Sequence, residues 1–166
     1  MKHVELLAPA GTMEALIAAV QNGADAVYLA GKAYGARAFA GNFSDEEMIE
    51  AINYCHHYQV KVYVTMNTII YPEEIDSAFE YALFLHKHKV DALIIQDFGL
   101  LEVLHTRLPN LELHASTQMH AHNIAYSEVL HHSPLSLHTN HHSPCRTIPL
   151  KALLMQHLLN LHCLHD

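Results

Sequence analysis

Short apolar runs alternate along residues 1–128 with longer stretches carrying apolar residues every three or four positions. That is the pattern of strands covered on both faces and followed by amphipathic helices. The runs predict strands at Val4–Leu7, Ala26–Ala30, Val60–Val64, Asp91–Ile95 and Leu111–Ala115. Between them, Thr12 caps a helix through Leu16, Ala19 and Val20 that stops at Asn22-Gly23, because glycine tolerates a left-handed cap. Ser44, with Glu47 three residues on, forms a capping box for a helix whose inner side is Met48, Ile49, Ile52 and Cys55.

A third helix begins after Pro72, turns Ile75, Phe79, Leu83 and Leu85 inward, and ends near Lys87-His88-Lys89. A fourth, short helix spans Leu100–Leu108 and is closed by Pro109. Five strand–helix units of about 25 residues each predict an α/β fold with a parallel sheet. Spacing alone leaves two architectures open, a doubly wound open sheet and part of a closed barrel.

Length and composition narrow this. A closed eight-stranded barrel takes ~250 residues, and the chain has 166. No apolar run approaches the ~20 residues that cross a bilayer, and Met1-Lys2-His3-Val4-Glu5 leads directly into a strand pattern, so a cytoplasmic location is expected. The formal charge of −8 argues against a basic nucleic-acid platform on the chain itself. Cys55, Cys145 and Cys163 form no disulfide framework. Of 17 histidines, eight fall in residues 129–166, a Leu-rich stretch without glycine whose only acid is Asp166. The expected organisation is a β/α portion over 1–128 and an atypical tail over 129–166, irregular or helical.

Polar residues gather just after the strands, where parallel β/α folds bind ligands. They are Arg37 in the second loop, Asn67, Gln96, Asp97, then His114, Ser116, Thr117 and Gln118. Helix starts also call for such residues, but Asn67, Gln96 and Gln118 follow apolar strands where no cap is required. Gly31, Gly35 and Gly41 make neither a phosphate loop nor a dinucleotide fingerprint. His56-His57 and His86-x-His88 point in different directions along helices and make poor metal pairs. His114, His120 and His122 cluster better, yet no Glu or Cys stands at ligand spacing, so no metal site is assigned. A Gly-x-Ser-x-Gly nucleophile elbow is absent.

Six ordered motifs carry a resemblance. Glu5-Leu6-Leu7-Ala8-Pro9-Ala10-Gly11 and Gly23-Ala24-Asp25-Ala26-Val27-Tyr28-Leu29 resemble the opening of the U32 peptidase family. Ala36-Arg37-Ala38-Phe39-Ala40-Gly41-Asn42-Phe43 is similar to its second-loop motif. Lys61–Thr68, Asp91–Asp97 and His114–Met119 continue in the family's order. The resemblance implies the front part of a TIM-like barrel and a collagenase-like peptidase. It also implies kinship with proteins that hydroxylate tRNA or rRNA bases, and with ubiquinone synthesis. Several family members hold an iron–sulfur cluster on cysteines beyond the seventh strand. No such signature is evident here, and that ligation is not carried to Cys145 or Cys163. After Asn123 the family pattern decays, and a frameshifted or eroded continuation is the expected reading of the tail.

Two functional readings follow. In the first, a peptide or RNA substrate meets Arg37 through an anionic group, and Asn67, Gln96, Ser116, Thr117 and Gln118 orient it. Asp97 or His114 would then serve as acid or base. In the second, the chain is a truncated, non-catalytic barrel piece prone to self-association through its open sheet edge.

Overall fold

The computed structural model of the chain describes residues 5–36 and 42–119. Five strands, β1 (Leu7–Pro9), β2 (Ala26–Ala30), β3 (Lys61–Met66), β4 (Ala92–Ile95) and β5 (Glu112–Ala115), form one sheet in the order β1-β2-β3-β4-β5. All four pairings are parallel. Helices α1 (Met13–Gln21), α2 (Asp45–His57), α3 (Ile75–Lys87) and α4 (Phe98–Arg107) supply the crossovers.

The two open architectures are now separable. A doubly wound sheet starts in its middle, reverses direction and carries helices on both faces. Here each strand is laid beside its predecessor without reversal. One face only is joined to the helices: Val27, Leu29, Val62, Val64, Met66, Leu93, Ile95 and Leu113 share a core with Leu16, Ile52, Leu85 and Leu104. The other face forms a separate cluster of Ala26, Tyr63, Ala92 and Ile94, with Leu7 and Tyr28 against it. Helices outside and side chains meeting inside are the layers of a β/α barrel, so the described residues form part of a TIM-like barrel.

Local chemistry sets the element ends. Thr12 Oγ1 accepts the Ala15 N–H at 3.2 Å, and Gly23 takes φ 86° after the Asn22 cap. At α2 the capping box is complete, with Glu47 N–H on Ser44 Oγ at 3.2 Å and Ser44 N–H on Glu47 Oε2 at 2.8 Å. The residues Pro72–Glu74 form a 3-10 turn, so α3 starts at Ile75 and not directly after Pro72.

Three expectations shift. Among the described residues the first strand is Leu7–Pro9, later than the expected Val4–Leu7, because the ladder with β2 begins at Leu7↔Ala26; Val4 itself lies outside the described residues. Val60 stays outside β3, since Gln59 turns at φ 60° and Val60 N–H returns to Cys55 O. The inner sides of α2 and α3 use Ala51, Ala78 and Ala82 where Ile49, Ile75 and Leu83 sit only half-buried. Small residues let a helix lie close to the sheet, and apolar weighting of a sequence undervalues them. The tail, residues 129–166, lies outside the described residues.

Candidate functional site

The ladders end with Met66↔Ile95 and Ile95↔Ala115. One residue further stand Asn67, Gln96 and Ser116. Side chains alternate along a strand, so these three continue the rows of Thr65, Ile94 and His114 on the inner, helix-free face. Neighbouring strands are ~4.8 Å apart, which places Asn67 and Ser116 roughly 10 Å from one another with Gln96 between them. The carboxyl ends of β3, β4 and β5 therefore gather two amides and a hydroxyl at one level of a common mouth.

Ser116 is 4% exposed, and its N–H donates to Ile95 O at 2.8 Å, extending the ladder by one bond. Its Oγ accepts the Gln118 N–H at 3.2 Å and opens a 3-10 turn over Thr117–Met119. That turn carries the half-buried Thr117 and Gln118 onto the same rim. The Asn67 Oδ1 accepts the Ala36 N–H at 3.1 Å. Arg37, the next residue, lies outside the described residues, as do His120 and His122.

Asp97 and His114 are placed differently. Asp97 follows the parity of Ile95, the face turned to the helices. Its Oδ1 accepts Leu100 N–H at 2.8 Å as the N-cap of α4, and its Oδ2 receives Ile70 N–H at 3.4 Å. This cap starts α4 at Phe98, earlier than the expected Leu100. Asp97 thus has a capping duty at α4, held by the short bond from Leu100 N–H.

His114 does face inward, but its Nε2 lies 2.7 Å from Glu112 Oε1, two residues back on the same strand. The imidazole accordingly leans toward the amino end of the sheet, away from the mouth. Its ring meets Tyr63 edge-on at 4.8 Å between centroids.

Two features escape a sequence reading. The first is a polar group on the inner face, where the buried Tyr63 hydroxyl donates to the Glu5 carboxylate, 3.0 Å from each oxygen, and Lys61 Nζ lies 3.3 Å from Glu5 Oε2. Burial first, then the Glu5 charge, pushes the Tyr63 phenol pKa well up. The second is residues 31–36, which lie over the ends of β2 and β3 and are held by Thr68 and Ser77 as well as Asn67. The one sequence hint is Tyr34-Gly35, a pair suited to a turn.

The described residues include no group of three metal-ligating side chains. Cys55, the cysteine among them, is fully buried on α2, and burial pushes its thiol up to about 12. An inert thiol in an apolar core does not fit an iron–sulfur ligand set. No helix among the described residues is long and apolar enough to cross a membrane.

A run of parallel strands with their crossover helices on one face defines a β/α-barrel type of fold. The particular family comes from comparison. The model of peptidase family U32 matches residues 11–136, and the chain belongs to that family. It is 41% identical over 117 residues to tRNA hydroxylation protein P1 of Bacillus subtilis, covering 70% of this chain and 28% of that protein. It is 42% identical over 116 residues to the 23S rRNA 5-hydroxycytidine synthase of Escherichia coli, covering 70% and 17%.

A collagenase of Porphyromonas gingivalis is 34% identical over 127 residues, covering 76% and 30%. The chain thus spans less than a third of these relatives' lengths. A solved U32 peptidase shares the fold with a TM-score of 0.58 at 16% identity, covering 69% of this chain and 49% of the other.

Proposed function

We propose that this chain contributes the base-reading mouth of an RNA-hydroxylating U32 protein, binding a nucleobase splayed out of its strand. The reading rests on one observation, the level placement of Asn67, Gln96 and Ser116 on adjacent parallel strands. Amides both donate and accept, which suits the mixed donor–acceptor edge of a base, and a span of roughly 10 Å suits a single planar ring better than a folded peptide. Two relatives at 41% and 42% identity are named for tRNA and rRNA hydroxylation. With a chain charge of −8, phosphate contacts are a poor source of affinity here, so the base itself is what the mouth reads.

Peptide hydrolysis, the activity in the collagenase relative's name, is the second reading. It needs an activated nucleophile or a metal-bound water. Among the described residues Ser116 Oγ is bonded to a backbone N–H and not to an imidazole, and no metal group exists.

The test is titration of the chain with cytidine, uridine and a collagen-derived peptide, following the side-chain amide NMR signals of Gln96 and Gln118. Saturable shifts with a pyrimidine nucleoside, lost in Gln96→Leu, support the reading. Shifts with the peptide alone would replace it by the second.

A further inference from the structure

Residues 31–36 leave β2 and run over the carboxyl ends of β2 and β3, and Phe43 later pairs with Gly31. Tyr34 sits at φ 62°. For a non-glycine residue that left-handed conformation is unfavourable and persists only where neighbours hold it. Three side chains do so from two other elements.

The Thr68 hydroxyl donates to Tyr34 O at 3.2 Å. Ser77 gives its proton to Glu74 O at 2.9 Å, so the Tyr34 hydroxyl is the donor in its 2.7 Å bond to Ser77 Oγ. Asn67 Oδ1 accepts Ala36 N–H at 3.1 Å. A backbone N–H can only donate, so the amide atom facing Ala36 is the oxygen. The Nδ2 of Asn67 makes no hydrogen bond among the described residues.

Gly35 shows where this strap lies. It is buried, and a Cβ there would stand 3.1 Å from Ala30 Cβ and 3.7 Å from Thr65 Oγ1. Both neighbours belong to the inner face at the ends of β2 and β3. The strap backbone therefore rests directly on that side of the mouth, while Gln96, Ser116 and Gln118 stand on the β4–β5 side.

We infer that Asn67 is a positioning residue: through Oδ1 it latches the strained strap onto the β2–β3 side and fixes that edge of the mouth. The inference rests on reading the mouth as a binding site, but the latch itself is measurable without any ligand. A substrate contact through Nδ2 and a latch through Oδ1 make opposite demands on Asn67→Asp, which keeps an acceptor and removes both donors.

Backbone amide exchange of the full chain, read by NMR at Ala36 and at β3 amides, tests it. Losing one hydrogen bond in Asn67→Ala speeds exchange at Ala36 about tenfold relative to β3, whereas Asn67→Asp stays within about twofold of the parent. Unchanged protection in Asn67→Ala, or equal loss in Asn67→Asp, overturns the inference. Should Asn67→Ala loosen β3 as well, Ala36→Pro, which deletes the donor from the exposed end, decides. Faster exchange at Tyr34 and Gly35 then supports the latch, and unaltered exchange there refutes it. Failure of nucleosides to bind the parent chain would remove the base-reading proposal and leave this result standing.

Discussion

Replacing Asp97 separates a helix cap from a chemical group. In Asp97→Ala, α4 loses the 2.8 Å bond from Leu100 N–H. An N-cap of this kind contributes about 1 kcal/mol, within a range of roughly 0.5–2. The contact from Ile70 N–H at 3.4 Å is long and adds little. The buried Leu100, Leu101 and Leu104 keep α4 docked, so the expected loss is about 1–1.5 kcal/mol and not unfolding. For a chain of this size that lowers Tm by about 2–5 °C.

Asp97→Asn keeps a side-chain oxygen and caps nearly as well, so it costs less than about 0.5 kcal/mol, mainly from the lost charge at the helix start. Urea unfolding followed by circular dichroism measures both, with an unchanged m-value as the check that only stability moved. Equal losses in the two variants, or no loss in Asp97→Ala, would refute the cap argument. A complete protein carrying Asp97→Asn that is stable yet inactive would give the carboxylate a chemical role beyond the cap.

Two further outcomes are expected. Burial raises the Cys55 thiol from 9.0 to about 12 and the Tyr81 phenol from 10.0 to about 12, so folding favours both protonated forms. Their contribution is complete below the unfolded values and is lost as pH climbs through the 9–12 window, by up to roughly 4 kcal/mol for Cys55. The urea midpoint should fall from about pH 9 upward, less steeply in Cys55→Ala, and an identical slope in the variant would contradict the assignment. At Gly31 an added Cβ would collide with the Tyr81 hydroxyl, so Gly31→Ala should cost about 1–3 kcal/mol. Tyr81→Phe removes the colliding atom and should restore part of that loss, and a double variant no more stable than Gly31→Ala would argue against the contact.

The sequence by itself determined much that depends on neighbours within one turn, although it missed the Asp97 cap that starts α4. Thr12, Gly23 and the Ser44–Glu47 box end their helices as read, because a cap is made by residues three or four apart. The buried β2, β3 and β4 were visible as apolar runs, and the level of Asn67, Gln96 and Ser116 follows once their strands are paired. The pairing itself, and the choice of one helix-covered face, came only from tertiary structure. So did the duties of individual polar groups: Asp97 reaches back to Ile70, Tyr34 to Ser77, and Tyr63 to Glu5 across 58 positions. Such bonds carry no local periodicity. They exist because the sheet and its crossovers bring segments distant in sequence together, which no pattern along the chain encodes.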